Sequence, residues 1–223
     1  MKQVATNQKL SLTYNRKDND TILNQSVFIN SLLSTPVSTG IADITEQSGI
    51  HYRHKEDNSF IDFSEQWFVP HELSTQGPKI AVADVNGDGI EDFFVCGAKG
   101  QGGTLFLQQP NASFKSSADS AVFLQDRNCE DVDAVFFDAN GDGYPDLHVA
   151  SGGNEYKGDA NELKDRLYMN DGKGHFTIVT NEIAPGLDHI GLVTDAVLVD
   201  IDKDGWPDLI VTGEWMPPTL FKK

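Results

Sequence analysis

Oxygen-bearing side chains recur at one spacing in three short stretches of the sequence. The stretches are DVNGDGIED from Asp84, DANGDGYPD from Asp138 and DIDKDGWPD from Asp200. In each of them, positions 1, 3, 5 and 9 carry a carboxylate or amide oxygen, and position 6 is glycine. Alternating residues on a tightly curved loop can direct several oxygens at one centre, and Ca²⁺ takes about six to eight oxygen ligands. The spacing therefore predicts three calcium-binding loops.

The predicted ligands of each loop are these four side chains and the backbone carbonyl of position 7, which follows a glycine suited to a sharp turn. They are Asp84, Asn86, Asp88, Ile90 and Asp92; Asp138, Asn140, Asp142, Tyr144 and Asp146; and Asp200, Asp202, Asp204, Trp206 and Asp208. Without a cation, the clustered carboxylates of each loop would repel one another and disfavour folding. Mg²⁺ suits the loops less well because it requires near-octahedral geometry and retains water. We therefore expect about three Ca²⁺ ions per chain, one in each loop.

Two other interpretations of the loops are an EF-hand-like loop and an ion-free turn. An EF-hand loop has about twelve residues, ends on Glu and lies between helices, whereas the closing acid here is at position 9. An Asx-rich turn without an ion would explain a single copy. Three copies in matching surroundings favour the calcium interpretation.

Short apolar runs flank every loop and predict β-strands. One run precedes each loop, a second follows it, and a third begins about 20–30 residues after the loop starts. In the second copy, the turn sequence DGKG and the run HFTIV come next. A unit of four antiparallel strands that recurs about every 50–60 residues is typical of a β-propeller blade.

The predicted fold is therefore all-β, with about three four-stranded blades over residues 41–223 and a calcium-binding hairpin loop in each blade. Propellers close with about four to eight blades. The expectation is an incomplete or open propeller, and hence a piece of a longer protein.

Composition excludes several classes of partner. The chain of 223 residues has a net charge of −17 and no dense basic cluster, which excludes nucleic acid and disfavours an anionic membrane surface. It has no apolar run of about 20 residues, so membrane insertion is not expected. The first residues lack the apolar segment of a signal peptide, so an export signal is not in this chain. Cys96 and Cys129 leave a disulfide or two buried thiols open, with the thiols favoured.

Other residues capable of chemistry receive structural interpretations. HYRHKED could form a metal or acid/base site, because His51 and His54 are three residues apart, but both histidines are predicted at the surface. His148 is predicted to pack within a strand rather than to act as a ligand. The tryptophans are predicted to fill the space between blades, with a sugar-stacking platform as the alternative; they are Trp67, Trp206 and Trp215. The sequence contains no common catalytic signature, so the protein is predicted not to be an enzyme.

The three repeat units resemble a known family. IAVADVNGDGIEDFFVCG, DAVFFDANGDGYPDLHVASGG and DAVLVDIDKDGWPDLIVTGEW look like FG-GAP/VCBS repeats, the calcium-loop blades of integrin-α-type propellers. More narrowly, DITEQSGIHYRH, the GP at Gly77 and GEWMPP look like bacterial surface proteins related to cartilage acidic protein, which carry an ASPIC/UnbV module. NQKLSLTY from Asn7 is similar to the closing strand of that module. Residues 1–40 are accordingly expected to be the tail of a preceding module plus a linker.

This resemblance implies an extracellular or bacterial cell-surface, non-catalytic module for binding or adhesion, with a protein or glycan ligand. The alternative is part of a calcium-dependent polysaccharide lyase or hydrolase built on a propeller. Open blade edges also make self-association a further expectation, because unpaired edge strands can pair with another chain.

Overall fold

Three antiparallel sheets, one for each acidic loop, form the body of the protein. The computed structural model describes residues 40–56, 59–68, 70–188 and 190–223. Residues 44–223 form one compact unit. The tail and linker expected over residues 1–40 lie outside the described residues, apart from Gly40.

The strands follow one another along the chain within each sheet, and every pairing is antiparallel. Sheet 1 contains β1 (Ile80–Ala83), β2 (Asp92–Val95), β3 (Thr104–Gln108) and β4 (Phe114–Ser116); sheet 2 contains β5 (Glu130–Phe137), β6 (Asp146–Gly152), β7 (Arg166–Asn170) and β8 (Phe176–Ile178); sheet 3 contains β9 (Leu192–Val199), β10 (Asp208–Glu214) and β11 (Thr219–Phe221). The apolar runs predict all of these strands except β4. The prediction of blade-like four-stranded units is confirmed for sheets 1 and 2, and sheet 3 has three strands.

Helices are short and lie between the strands. They are α1 (Thr45–Ser48), α2 (Asp62–Glu65), α3 (Ser120–Phe123) and α4 (Thr180–Ile183), with 3₁₀ turns at Leu124–Asp126, Asn161–Leu163 and Pro185–Leu187. None of the helices in the described part of the chain has the length and apolar character needed to cross a bilayer.

Sheet 2 lies between two hydrophobic cores. Side chains alternate between the two faces of a strand, and in β6 Leu147 and Val149 join one core while Ala150 joins the other. The first core contains Phe94 and Leu105 of sheet 1, and the second contains Leu209 of sheet 3. All seven residues of β6 are buried as a result. The stacking of the sheets therefore holds the three acidic loops in one assembly.

A buried ion pair within sheet 2 is hydrogen bonded to the segment that follows β2. The Nη2 atom of Arg166 donates hydrogen bonds to Asp131 Oδ1 at 2.6 Å and to Ser151 Oγ at 2.9 Å. Asp131 Oδ2 accepts the backbone N–H of Gly97 at 2.8 Å, just beyond β2. A buried charge of this kind is tolerated because it is both paired and hydrogen bonded.

Two sequence predictions concern buried side chains. Cys96 and Cys129 are both free thiols and both buried, and burial raises the pKa of each thiol above its ordinary value. His148 is fully buried in β6, and its Nε2 atom lies 3.0 Å from Asp165 Oδ2. It is a packed strand residue, as its apolar neighbours indicate.

Candidate functional site

Each acidic loop joins the first two strands of its sheet. The loops span residues 84–92, 138–146 and 200–208, and we call them the first, second and third acidic loops. Position 1 directly follows β1, β5 or β9, and position 9 is the first residue of β2, β6 or β10. The strand pairing thus brings both ends of every loop together, as in the register pair of Ala83 with Asp92. The oxygen-bearing residues are confined to one hairpin end in each sheet.

The aspartate at position 1 organises the loop backbone. Its side chain accepts the N–H groups of positions 5 and 6 in all three loops, at 2.8–3.2 Å. In the first two loops it also accepts the N–H of position 4, Gly87 or Gly141. For Asp138, partial burial acts to raise the pKa, but these N–H donors and the nearby Lys223 hold it below its ordinary value.

Positions 3 and 5 form the next two turns of the same frame. The side-chain oxygen of position 3 accepts the N–H of position 5, and the carboxylate of position 5 accepts the N–H of position 7, at 2.8–3.2 Å in every loop. Position 6 has the predicted left-handed conformation, with φ of 83° at Gly89, 88° at Gly143 and 93° at Gly205. Each loop therefore curls around its own acidic side chains.

The aspartate at position 9 has a different environment, because it is buried. Asp92, Asp146 and Asp208 are at most 1% exposed. One oxygen of each accepts the N–H of position 2 of its own loop. The other accepts an N–H at or just beyond the end of the third strand of the sheet, from Gln108, Asn170 or Lys223, at 2.8–3.1 Å. Position 9 thus fixes the loop to the sheet.

Burial and neighbouring negative charge both act on these aspartates. Burial raises the pKa of Asp92 and of Asp146 above its ordinary value, and the carboxylates at positions 5 and 1 raise it further. A cation within the loop would oppose both effects, because a nearby positive charge favours the ionised carboxylate.

The third loop brings its carboxylates closest together. Asp200, Asp202 and Asp208 can each place one ligand oxygen within 4.8 Å of the others. The Nζ atom of Lys222 contacts Asp202 and lies 3.7 Å from Asp204 Oδ2. The lysine ammonium therefore interacts with the same carboxylates that would bind an ion.

A second lysine lies between the second and third loops. The Nζ atom of Lys223 donates to the backbone carbonyl of Asp138 and is 3.6 Å from Asp138 Oδ1. The same atom lies 3.6 Å from the centre of the Trp206 ring, at position 7 of the third loop. Both lysines follow β11, so the two loops that they contact already attract cations from the protein itself.

The donor set fits a hard divalent cation. Every predicted side-chain ligand offers oxygen, and each carboxylate has lone pairs beyond those used by its N–H donors. Attraction of lysine ammonium groups to two of the loops is a further sign that these oxygens favour positive charge. The backbone carbonyls of Ile90, Tyr144 and Trp206 remain predicted ligands.

One prediction made from the sequence is wrong, and another holds only in part. His54 is partly buried rather than freely exposed at the surface, since its side chain is 11% exposed and its Nε2 atom is 2.7 Å from Glu56 Oε1. The tryptophans do not fill the space between the sheets, since Trp67 is 79% exposed, Trp206 44% and Trp215 87%. Trp67 and Trp215 instead line a shared cleft of about 440 Å³. An aromatic side chain beside a strand does not reveal which face it occupies.

Comparison with known families supports the repeat interpretation. A family model described as FG-GAP-like repeat matches residues 84–149 and again residues 138–211. Each match begins at position 1 of an acidic loop, and together they cover more than half of the chain. No curated protein matches the sequence.

Proposed function

Because this chain belongs to the FG-GAP-like repeat family, we propose that it is a calcium-stabilised β-propeller-type module that binds a partner outside the cell. The observation that carries the proposal is the common hydrogen-bond frame of the three acidic loops. Positions 1, 3 and 5 fold the backbone around oxygen ligands in the same way three times. The role of the ion is structural, because the loops close hairpins within the blades.

Calcium would supply positive charge to each loop, while the protein itself orients the ligands. The N–H groups that bind position 1 direct its carboxylate into the turn. The buried position 9 keeps the loop in place against the third strand. The loops are then pre-organised, so calcium binding adds stability to a structure that is already formed.

Calcium titration of the chelator-treated protein tests this role. Calorimetry is expected to give about three ions per chain and a rise in melting temperature. The double variant Asp138→Asn with Asp142→Asn is expected to bind one ion fewer. A matched control, Asp159→Asn with Asp171→Asn, removes the same charge from exposed positions outside the loops and should bind as many ions as the wild type. Unchanged stoichiometry in the first variant would refute the assignment.

The exposed aromatic cleft supports a binding or adhesion role. Trp67 and Trp215 lie largely in solvent on its walls, together with Phe68. Large exposed aromatic groups mark interaction surfaces, and Trp is enriched among residues that dominate binding energy. The proposed partner is a protein or a glycan, and the proposed module is non-catalytic. The narrower resemblance to bacterial surface proteins supports a location at the cell surface.

A binding screen with matched tryptophan variants tests the proposed surface. The purified protein would be applied to arrays of extracellular glycans and matrix proteins in the presence of Ca²⁺. Trp215→Ala is expected to lose the signal, whereas Trp206→Ala, outside the cleft, should retain it. Equal binding by both variants would refute the cleft as the site. Antibody labelling of intact producing cells tests the proposed location.

A further inference from the structure

A histidine and a nearby glutamate meet a second glutamate from a distant part of the sequence, outside the acidic loops. His54, Glu56 and Glu130 can each place one ligand atom within 4.8 Å of the others. Glu130 begins β5, whereas the other two belong to the segment that precedes sheet 1. We call these three side chains the histidine–glutamate cluster.

The surroundings of His54 determine which ring nitrogen carries the proton. Tyr52 donates its single hydroxyl proton to the backbone carbonyl of Cys96 at 3.0 Å. The Tyr52 oxygen, 3.3 Å from His54 Nδ1, is then left to accept a proton from that nitrogen. In the neutral ring Nε2 consequently carries a lone pair. It faces a carboxylate oxygen of Glu56 at 2.7 Å, and two lone pairs at that distance require a proton or a metal ion between them.

Glu130 provides an independent sign of a ligand. Its side chain is 1% exposed, and its Oε1 atom is buried without a hydrogen-bond partner among the residues that the structure describes. Its other oxygen accepts the backbone N–H of Lys99 at 2.7 Å. A buried carboxylate oxygen without a partner costs free energy.

More negative charge lies beside the cluster. In the described part of the chain, Glu155 also has a buried oxygen without a hydrogen-bond partner. The side chains of Glu155 and Glu130 both approach the backbone of Gly153. Lys99 interacts electrostatically with Glu155. A third carboxyl group therefore lies beside Glu56 and Glu130.

We propose that the histidine–glutamate cluster binds a divalent transition-metal ion of the Zn²⁺ type, at a site separate from the acidic loops. The donor set distinguishes the two kinds of site. The loops offer oxygen alone, which suits Ca²⁺, whereas an imidazole nitrogen with carboxylate oxygens suits Zn²⁺ and related ions. Tyr52 acts as a positioning residue, because a hydrogen bond to the second ring nitrogen fixes the tautomer and orientation of a metal-binding histidine.

The ion would connect the segment before sheet 1 to the start of sheet 2. That segment is already held by Gln101, which accepts the N–H of Lys55 and donates to the carbonyl of Arg53. Gly77 leaves Nε2 uncovered, because a Cβ added there would lie 2.9 Å from that atom. The side chains of His54 and Glu56 are 11% and 20% exposed, which gives an ion a route in from solvent.

Zinc titration of the full chain tests the proposal. The chelator-treated protein would be titrated with ZnCl₂ by calorimetry, once without Ca²⁺ and once with Ca²⁺ in excess. One zinc site per chain is expected under both conditions. His54→Gln should abolish it and Glu130→Gln should weaken it at least about tenfold. Since the two metals are measured separately, failure of the calcium assignment and failure of the zinc assignment are distinct results.

His175 offers a matched control for adventitious zinc. It is exposed, with Nδ1 3.0 Å from Asp171 and Nε2 3.6 Å from Asp119. This is also one histidine beside two carboxylates, but on the surface. His175→Asn should leave the zinc site unchanged. Absence of a wild-type zinc site, or its loss in His175→Asn with retention in His54→Gln, would overturn the proposal.

Two further variants separate metal binding from a purely structural contact. Tyr52→Phe keeps all three ligands and should weaken zinc binding by about 10–100-fold. Gly77→Ala also keeps them but places a methyl group against Nε2, and should weaken binding as well. Urea unfolding of each variant without metal reports whether it folds. A cobalt-loaded wild type should show visible absorption bands that are absent in Glu130→Gln, and identical spectra would contradict the assignment.

Discussion

Replacement of Asp146 should destabilise the protein even when no calcium is bound. Asp146 is fully buried at position 9 of the second acidic loop. Its two oxygens accept the N–H groups of Ala139 at 2.9 Å and Asn170 at 2.8 Å. The first N–H belongs to position 2 of the loop, and the second belongs to the last residue of β7. Asp146→Ala removes both acceptors and leaves two donors without partners, of which the Asn170 N–H is buried and the Ala139 N–H is partly buried.

The size of the effect follows from these two hydrogen bonds. A buried donor without a partner costs about 1–3 kcal/mol and a partly buried donor costs less, so the two together cost at most about 6 kcal/mol. Removing a buried carboxylate also removes its desolvation cost, which offsets part of this loss. We expect Asp146→Ala to lower the free energy of unfolding by about 3 kcal/mol. Asp146→Asn retains one acceptor oxygen and should cost about half as much.

Urea unfolding with chelator and with Ca²⁺ measures both roles of the loop. The matched control is Asp142→Ala, which removes an exposed carboxylate from position 5 of the same loop. Asp142 accepts the N–H of Tyr144 at 2.9 Å near the surface, so its removal should cost less than about 1 kcal/mol in chelator. With Ca²⁺, both variants should lose the stabilisation that the second loop contributes.

The comparison in chelator decides whether the argument holds. If Asp146→Ala and Asp142→Ala lower the free energy of unfolding equally without calcium, the buried N–H groups do not depend on position 9. The loop aspartates would then act only through a bound ion. We expect Asp146→Ala to lower the free energy of unfolding more than Asp142→Ala in chelator. We expect both variants to lose the same amount of the extra stability that Ca²⁺ gives the wild type.

Four other predictions follow from individual residues. Lys222→Gln removes the ammonium group that contacts the third acidic loop, so this loop should bind Ca²⁺ more tightly at low salt, with a smaller difference at high salt. Calorimetry that shows no change in Ca²⁺ affinity would contradict this prediction. Lys203 has φ of 64°, so Lys203→Gly should raise the free energy of unfolding in urea by up to about 1 kcal/mol; a decrease would contradict it. Cys96 is fully buried with a raised pKa, so a thiol reagent should modify it only on unfolding, and rapid reaction in the folded protein would refute its burial. The hydrogen bond that His175 donates to the Asp171 carboxylate raises the pKa of His175 above 6.5, so the stabilisation by this pair is present below pH 6.5 and is lost as pH rises through the raised pKa. NMR titration should show the raised pKa, and Asp171→Asn should bring it back toward 6.5.

Local patterns in the sequence were sufficient for the strands and the loop frame. Position 6 requires a left-handed backbone, and glycine occurs there in all three loops. The contacts of positions 1, 3 and 5 span at most five residues, so the repeated spacing determines them. The apolar runs beside the loops place alternate residues in the core, as in β1, because alternate residues of a strand lie on opposite faces. Such features depend on near neighbours in the chain.

Contacts between distant segments could not be predicted in this way. The sequence indicated an acid at position 9 but not that its second oxygen would bind Gln108, Asn170 or Lys223 near the end of a third strand. The lengths of the connections differ between the copies, so no fixed spacing identifies these donors. The tryptophans illustrate the same limit, because the face that each one occupies depends on how the sheets stack.

The sequence alone determined three oxygen-rich hairpin loops and the strands that flank them, because spacing and residue type act over a few residues. The tertiary structure decided that sheet 2 is buried on both faces and that Glu130 approaches His54 across 76 positions of the chain. Only packing can bring such distant groups together, since their proximity depends on the whole path of the backbone. A cluster of one histidine and two glutamates therefore became visible only in the folded protein.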